Sequence, residues 1–400
     1  MTQSRRVHNT LSTMLTVTTI GDWFSYLSVI YLLQNISGDW RVSSFSIPIK
    51  GLGIAVSALF SPYLNSRISP KRLLVAVQIL GMALSLVTFL FLEQSSSSMT
   101  WLFWFSCFQG FLSNCFNQTR DFYSKAFTTD DKALKETVAQ SLLEKGFSLG
   151  QVFGPVLFFV LIHIAKARPS IAFLIDAVSF FVGTLLLLRL PGLPIKLPSP
   201  SYKQFGVRPI LERTPIRFIF VLRSIGMWVP FAIFNILLVA KMTAEFHRDP
   251  SELTWVYALL GAGATVGANW SGQQSDRFNY QLSQSYVFCA ASFVLFALCS
   301  ALFAFSIPFS VFLMLCFMIG FSNGIQKVTT KGILREQTST EEFPVISALE
   351  LFTGKLCDLV TVSIFNLALI SISGGVSFTA IWLTGLGLIT FLATPRLATT

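Results

Sequence analysis

Apolar residues in this chain fall into runs of about twenty, separated by short stretches rich in charge, Gly, Pro or Ser. As helix, a run of that length crosses a hydrocarbon layer of ~30 Å. In lipid a helix is also the form that satisfies its own backbone polar groups. Twelve such runs stand at about 11–34, 44–65, 73–92, 100–120, 138–163, 170–190, 217–240, 252–272, 282–304, 309–328, 345–370 and 375–394. Only Ser306-Ile307-Pro308 parts the ninth from the tenth. The longest break, Pro191–Ile216, holds six prolines and several basic residues, the composition of a semi-stiff solvated tether. The pattern predicts an all-α polytopic membrane protein: six helices in 1–190, a linker at 191–216, and six helices in 217–400.

Composition removes the alternative of several soluble domains. Charged residues make up 12% of the chain, against about 25% in soluble proteins. Hydrophobic residues make up 53%, with 40 Phe. The net charge of +10 is explained by the excess of Lys and Arg in cytoplasmic loops rather than by nucleic-acid binding. With the N-terminus inside, the gaps on the inner side carry 20 Lys and Arg and those on the outer side 5. That ratio puts both termini in the cytoplasm and leaves Lys50, Lys145, Arg223 and Lys355 inside spans. The six Cys sit in apolar runs without a CxxC pair and read as buried hydrophobes, so no metal site or cofactor is expected. The first run is too long for a signal-peptide core and reads as a retained span.

The chain also repeats itself weakly. Ile20-Gly21-Asp22-Trp23 aligns with Ile225-Gly226-Met227-Trp228. At an offset of 210, Gly51, Gly53, Val56, Ser61 and Arg67 align with Gly261, Gly263, Val266, Ser271 and Arg277, and Lys145 aligns with Lys355. Two parallel six-helix repeats resemble the organisation of the major facilitator superfamily. That resemblance implies a substrate held near mid-membrane between two bundles that rock against each other.

Shorter motifs extend the resemblance. Arg67, Lys71 and Arg72 after the second run, and Gly272 with Asp276-Arg277 after the eighth, are similar to that superfamily's loop motif. Pro62 and Ser66 stand where the motif has Gly and Asp. The resemblance makes Arg67, Asp276 and Arg277 gating residues on the cytoplasmic side. Gly150-Gln151-Val152-Phe153-Gly154-Pro155 resembles the antiporter motif of the fifth span. Gly21-Asp22-Trp23-Phe24 and Ala172–Phe180 resemble drug:proton antiporters of the macrolide-efflux and enterobactin-exporter type. What this implies is a bacterial inner-membrane exporter of a small amphiphilic molecule (a drug, a macrolide-like compound or a siderophore), driven by proton entry.

Ionisable residues within spans are the candidate chemistry, because a charge in hydrocarbon costs several kcal/mol unless paired or wetted. Asp22 lies eleven residues into the first run, about 16 Å deep. It reads either as the proton carrier, tuned by Lys50 in the second run, or as a structural cap. Glu350, Gly354 and Asp358 share a stripe of the eleventh run, and Lys355 is placed to meet Asp358. Glu144-Lys145 lie in the fifth run and Arg223 in the seventh, where Arg223 would pair with Glu350, bind an anion or snorkel. Asp22, Glu350, Asp358 and Glu144 are thus proton-coupling candidates. Asn114 and Gln118 in the fourth run and Asn323 in the tenth form polar stripes that read as cavity wall or inter-helix glue; Asn235 in the seventh joins the cavity candidates. Trp23 and Trp228 are mid-span repeat mates that would pack, or stack on a substrate. Gly146, Gly150 and Gly154 give a small-residue face and Pro155 a bend, fitting a moving gate.

An importer or uncoupled facilitator of the same fold is the alternative. A lipid-modifying enzyme is remote: the three His (His8, His163, His247) lie far from Cys or acidic clusters, and no ATP-binding motif is present. The expected partners are a small-molecule substrate and the bilayer, without nucleic acid, for a monomer.

Overall fold

Each predicted run has a helical counterpart. The computed structural model describes the chain except residues 1–2, 39–41, 44, 95–97, 131–134, 193–206, 249–251, 278–281, 304, 368–378, 380 and 391–400. The helices are α1 (Gln3–Ser37), α2 (Ser46–Arg67), α3 (Pro70–Gln94), α4 (Met99–Asp130), α5 (Glu136–Phe159) and α6 (Ile171–Leu188). Then come α7 (Thr214–Val221, a π-helical stretch Leu222–Met227, and Trp228–Ala240), α8 (Leu253–Arg277), α9 (Leu282–Leu302), α10 (Phe309–Gln337) and α11 (Glu342–Leu367). Of the twelfth run, Ile381–Thr390 is described as helix, here α12. No strand occurs among the described residues. Seven of these helices are long and apolar enough by length and composition to cross a membrane.

Local chemistry sets the breaks. Ile68 is extended (φ −115°, ψ 135°) after α2, and Pro70 then opens α3, where a missing N–H costs nothing. The weakly marked ninth break is real: Pro308 is extended (φ −57°, ψ 146°) and caps the start of α10. The linker departs from a plain tether at its end. Val207–Glu212 is helical, and Ile210 is buried in the core beside Ile216. Residues 193–206 of the linker lie outside the described residues.

Within the first bundle α1 packs on α5 and α6, α2 on α4, and α3 on α6. In the second, α8 and α9 pack on α10 and α7 on α11. The bundles meet mainly through α2 against α11 and α5 against α8, two contacts that exchange under the repeat. The repeat is visible atom by atom. A Cβ at Gly53 would strike the carbonyl of Cys107, and one at Gly263 would strike that of Phe317. Gly110 faces the Lys50 carbonyl as Gly320 faces that of Leu260. Each member of these pairs lies 210 residues after its mate, so bare glycines bring α2 to α4 and α8 to α10 with the same backbone-to-backbone fit. Around the outside, large apolar side chains such as Leu80, Trp104, Phe181, Leu298 and Met314 are exposed, as a lipid-facing surface requires.

Candidate functional site

The predicted small-residue face of α5 packs against α1: Gly146 on Ser12, Gly150 on Thr16 and Thr19, and Gly154 on Trp23. This contact holds Asp22 at the edge of a small cavity inside the first bundle. Its polar lining includes Thr19, Asp22, Gln78, Ser85, Gln109 and Asn117. Gln109 Nε2 donates to Asp22 Oδ1 at 3.4 Å and to Ser25 Oγ at 2.6 Å. Behind Asp22 lies Asp176, 0% exposed. Ser85 donates to its Oδ2 at 2.8 Å, and its Oδ1 has no hydrogen-bond partner.

Lys50 departs from the pairing expected of it. No ion pair joins it to Asp22. Its ammonium instead lies 5.0 Å from the centre of the Tyr26 ring, where the ring face attracts a cation. Tyr26 belongs to an aromatic group that crosses between bundles. Trp23 stands 5.4 Å from Tyr26 and 4.9 Å from Tyr257 of α8. From α11, Lys355 pairs with Asp358 at 2.7 Å, the i,i+3 contact its spacing predicts. The Lys355 ammonium also sits 3.9 Å from the Trp228 ring centre. Gly51, next to Lys50, leaves room for the Lys355 and Asp358 side chains against α2.

Arg223 is not a snorkelling residue. The π-helical stretch of α7 brings its Nε to 3.3 Å from Glu350 Oε2, and its NH1 donates to Thr330 at 2.6 Å. Removing one partner of such a buried pair costs about 3–5 kcal/mol, whereas replacing both by apolar residues is near neutral. Glu350→Gln should therefore lower the melting temperature of the purified protein more than the double change Arg223→Met/Glu350→Met does. The reverse order would show that the pair is not held dry.

The remaining candidates scatter. Asn114 is not on a cavity wall: its amide donates to Ser57 Oγ at 2.5 Å and to the Ile54 carbonyl at 3.2 Å, joining α4 to α2. Its repeat mate Gly324 meets the equivalent carbonyl, that of Ala264, by having no side chain. Asn235, Asn323 and Lys145 are half-buried. Gln118 reaches the Ser347 carbonyl of the other bundle at 3.3 Å, and Glu144 pairs with Lys327 across the seam at 3.2 Å.

These two contacts belong to a larger polar seal that loop counting missed. α4 and α10 run well past their apolar runs and carry their polar stripes into the seam. Asp121 binds Lys331 across the seam and Arg120 of its own helix at 2.6 Å. Arg335, 1% exposed, pairs with Glu136 at 2.7 Å and donates to Ser124 at 3.1 Å. Lys125 donates to the carbonyls of Arg335 and Thr338, each at 2.6 Å. Ser141 donates to the Ala268 carbonyl at 2.9 Å and Thr137 to Glu336 at 3.1 Å. Asp121 with Lys331, and Lys125 with Arg335, are repeat mates 210 residues apart that meet at the pseudo-twofold axis. The signal was present in the sequence as charges at spacing four on both helices. Arg67, expected to latch this end, is instead exposed, with its guanidinium 5.6 Å from the Tyr63 ring centre. The side chains of Asp276 and Arg277 lie outside the described residues.

Comparison with known proteins agrees with this layout. No curated protein matches the chain. Among solved structures it is similar to a bacterial homologue of the iron transporter ferroportin in an outward-facing state, with a TM-score of 0.72 at 16% identity over 98% of this chain and 100% of that one. It is also similar to the human organic anion transporter MFSD10 (TETRAN), with a TM-score of 0.71 at 13% identity over 98% and 100% of the two chains. At such identities the likeness is one of fold. The family model for the Major Facilitator Superfamily matches residues 11–349. By that match, by its paired six-helix bundles and by its repeat-related seam, this multi-pass membrane chain belongs to the Major Facilitator Superfamily, and its fold is that of a secondary transporter rather than an enzyme.

Proposed function

We propose that the chain is a proton-coupled exporter of a small amphiphilic molecule in a bacterial inner membrane, working by alternating access. The bundles of 1–190 and 217–400, joined by the linker 191–216, rock about the seam of α2, α5, α8 and α11. The bias of 20 against 5 positive charges supports a cytoplasmic position for the sealed basic end and both termini. The observation that carries the reading is that seal. Its pairs Asp121–Lys331, Glu136–Arg335 and Glu144–Lys327 join the two bundles, so they must part for a path to open inward. With this end sealed, access in the scheme is from outside, the state in which the similar ferroportin homologue was solved.

Asp22 is the proton carrier in this scheme. It sits at the edge of the small cavity inside the first bundle, with a hydrogen bond from Gln109 to its carboxylate. When protonated it loses the charge that attracts Lys50, which changes the charge presented to the seam. A proton entering from outside thereby alters the balance between the two arrangements, the differential interaction that coupling requires. Uptake of a fluorescent amphiphile into inside-out vesicles should collapse with an uncoupler, and should be lost in Asp22→Asn. Uptake that ignores both changes would instead support an uncoupled facilitator or importer.

A further inference from the structure

Among the described residues Lys50 makes no ion pair, although it stands where the bundles meet. Arg223, Lys355, Lys327, Lys331 and Arg335 each hold a carboxylate within ion-pair distance. Lys50 has the Tyr26 ring, with the carboxylates of Asp22 and Asp176 acting on it only from beyond contact. An ammonium at membrane depth without a carboxylate in contact is costly, and this one ends at a ring face on the side where the bundles meet. Its surroundings are also aromatic. Trp23, Tyr26 and Tyr257 present rings from both bundles, the Tyr pair with centres 6.5 Å apart and nearly perpendicular. Across the seam Lys355 adds a second ammonium, near enough to repel the first. Asp358, the carboxylate beside them, is already held by Lys355 at 2.7 Å.

We propose that this cage receives an organic anion bearing an aromatic ring. Its carboxylate or other oxyanion would lie against the Lys50 ammonium, and its ring would enter among Trp23, Tyr26 and Tyr257. An incoming anion supplies a counter-charge in contact with the ammonium, which Asp22 and Asp176 do not, and the rings supply offset or edge contacts to an aromatic body. A cation would find the same rings but two ammonium groups facing it. A neutral ring would leave Lys50 unpaired. Because the cage draws on α1, α2, α8 and α11, a guest there touches both bundles and is placed to report its presence to the seam. The inference rests on the transporter reading and names the substrate class of that site.

Equilibrium dialysis of the purified full-length protein against 1-naphthoate, 1-naphthalenemethanol and 1-naphthylmethylamine tests it. Naphthoate should bind at least tenfold more tightly than the other two. Lys50→Gln should remove that preference while leaving naphthalenemethanol within twofold, and Lys50→Arg should restore it. Tyr257→Leu should weaken all three probes regardless of charge, which keeps the test open if Lys50→Gln does not fold. Equal or tighter binding of the alcohol or the amine, no binding of any probe, or a loss in Lys50→Gln shared by all three would overturn the proposal. Uncoupler-sensitive uptake of an amphiphile without preference for the anion would leave the exporter reading standing and remove the anion class alone.

Discussion

Asparagine in place of Asp121 will unlatch the sealed end of the molecule. Asp121 is 1% exposed and holds two cations at once, Arg120 on its own helix and Lys331 across the seam. Without its charge both are left buried with Arg335 close by, and an uncompensated buried charge costs about 3–5 kcal/mol. The strain is relieved when the bundles part and water enters. If a third to a half of that cost is specific to the sealed form, the open fraction rises by about five- to seventyfold. Lys331→Gln will do less, because Arg120 still satisfies Asp121. The measurement is the rate at which a membrane-impermeant maleimide labels Ser347→Cys in inside-out vesicles, with the half-buried Cys107 and Cys357 replaced by Ser. The expected order of rates is Asp121→Asn, then Lys331→Gln, then the parent. Unchanged rates, or the opposite order, would remove these ion pairs from the gate.

The second large effect is structural and comes in a matched pair. Gly53→Ala and Gly263→Ala each push a methyl group into a backbone carbonyl of the facing helix, that of Cys107 and of Phe317. Neither carbonyl is the end of a flexible side chain, so the helices must separate. Overpacking of this kind costs about 1–3 kcal/mol, here at the upper end because backbone has to move. Thermal unfolding followed by size-exclusion chromatography should show both variants melting earlier by similar amounts. Gly385→Ala, with nothing within 4 Å of the added carbon, should melt with the parent or slightly later. A large drop at one repeat position and none at its mate would contradict equivalent packing of the two bundles.

The fold was legible because lipid enforces it. Runs of about twenty apolar residues must be helices, and Pro70 and Pro308 mark where two of them begin. The glycine repeat was also legible, since bare backbone at Gly53 and Gly263 is needed for the same close approach. The site was less so, for three physical reasons. A span ended at its first charge looks complete, yet Arg120, Asp121, Lys125, Lys331 and Arg335 continue α4 and α10 because the other bundle supplies their partners. A polar stripe does not state its direction: Gln118 crosses the seam, while Asn114, four residues earlier, ties two helices of one bundle. And a long side chain's destination is a tertiary fact. Lys355 reached the Asp358 its spacing pointed to, but the Lys50 ammonium passed over a matching depth in Asp22 and settled on a tyrosine ring.

Alternating access at this seam requires that the two bundles part at the sealed end and that Asp22 influence their parting. Electron–electron distance measurements between spin labels at Arg72→Cys in α3 and Gln337→Cys in α10, in nanodiscs, read this directly. We expect two populations, the shorter corresponding to the sealed arrangement, with Asp121→Asn favouring the longer and Asp22→Asn shifting their ratio as protonation would. A single distance, the same in all three backgrounds, would contradict alternating access at this seam.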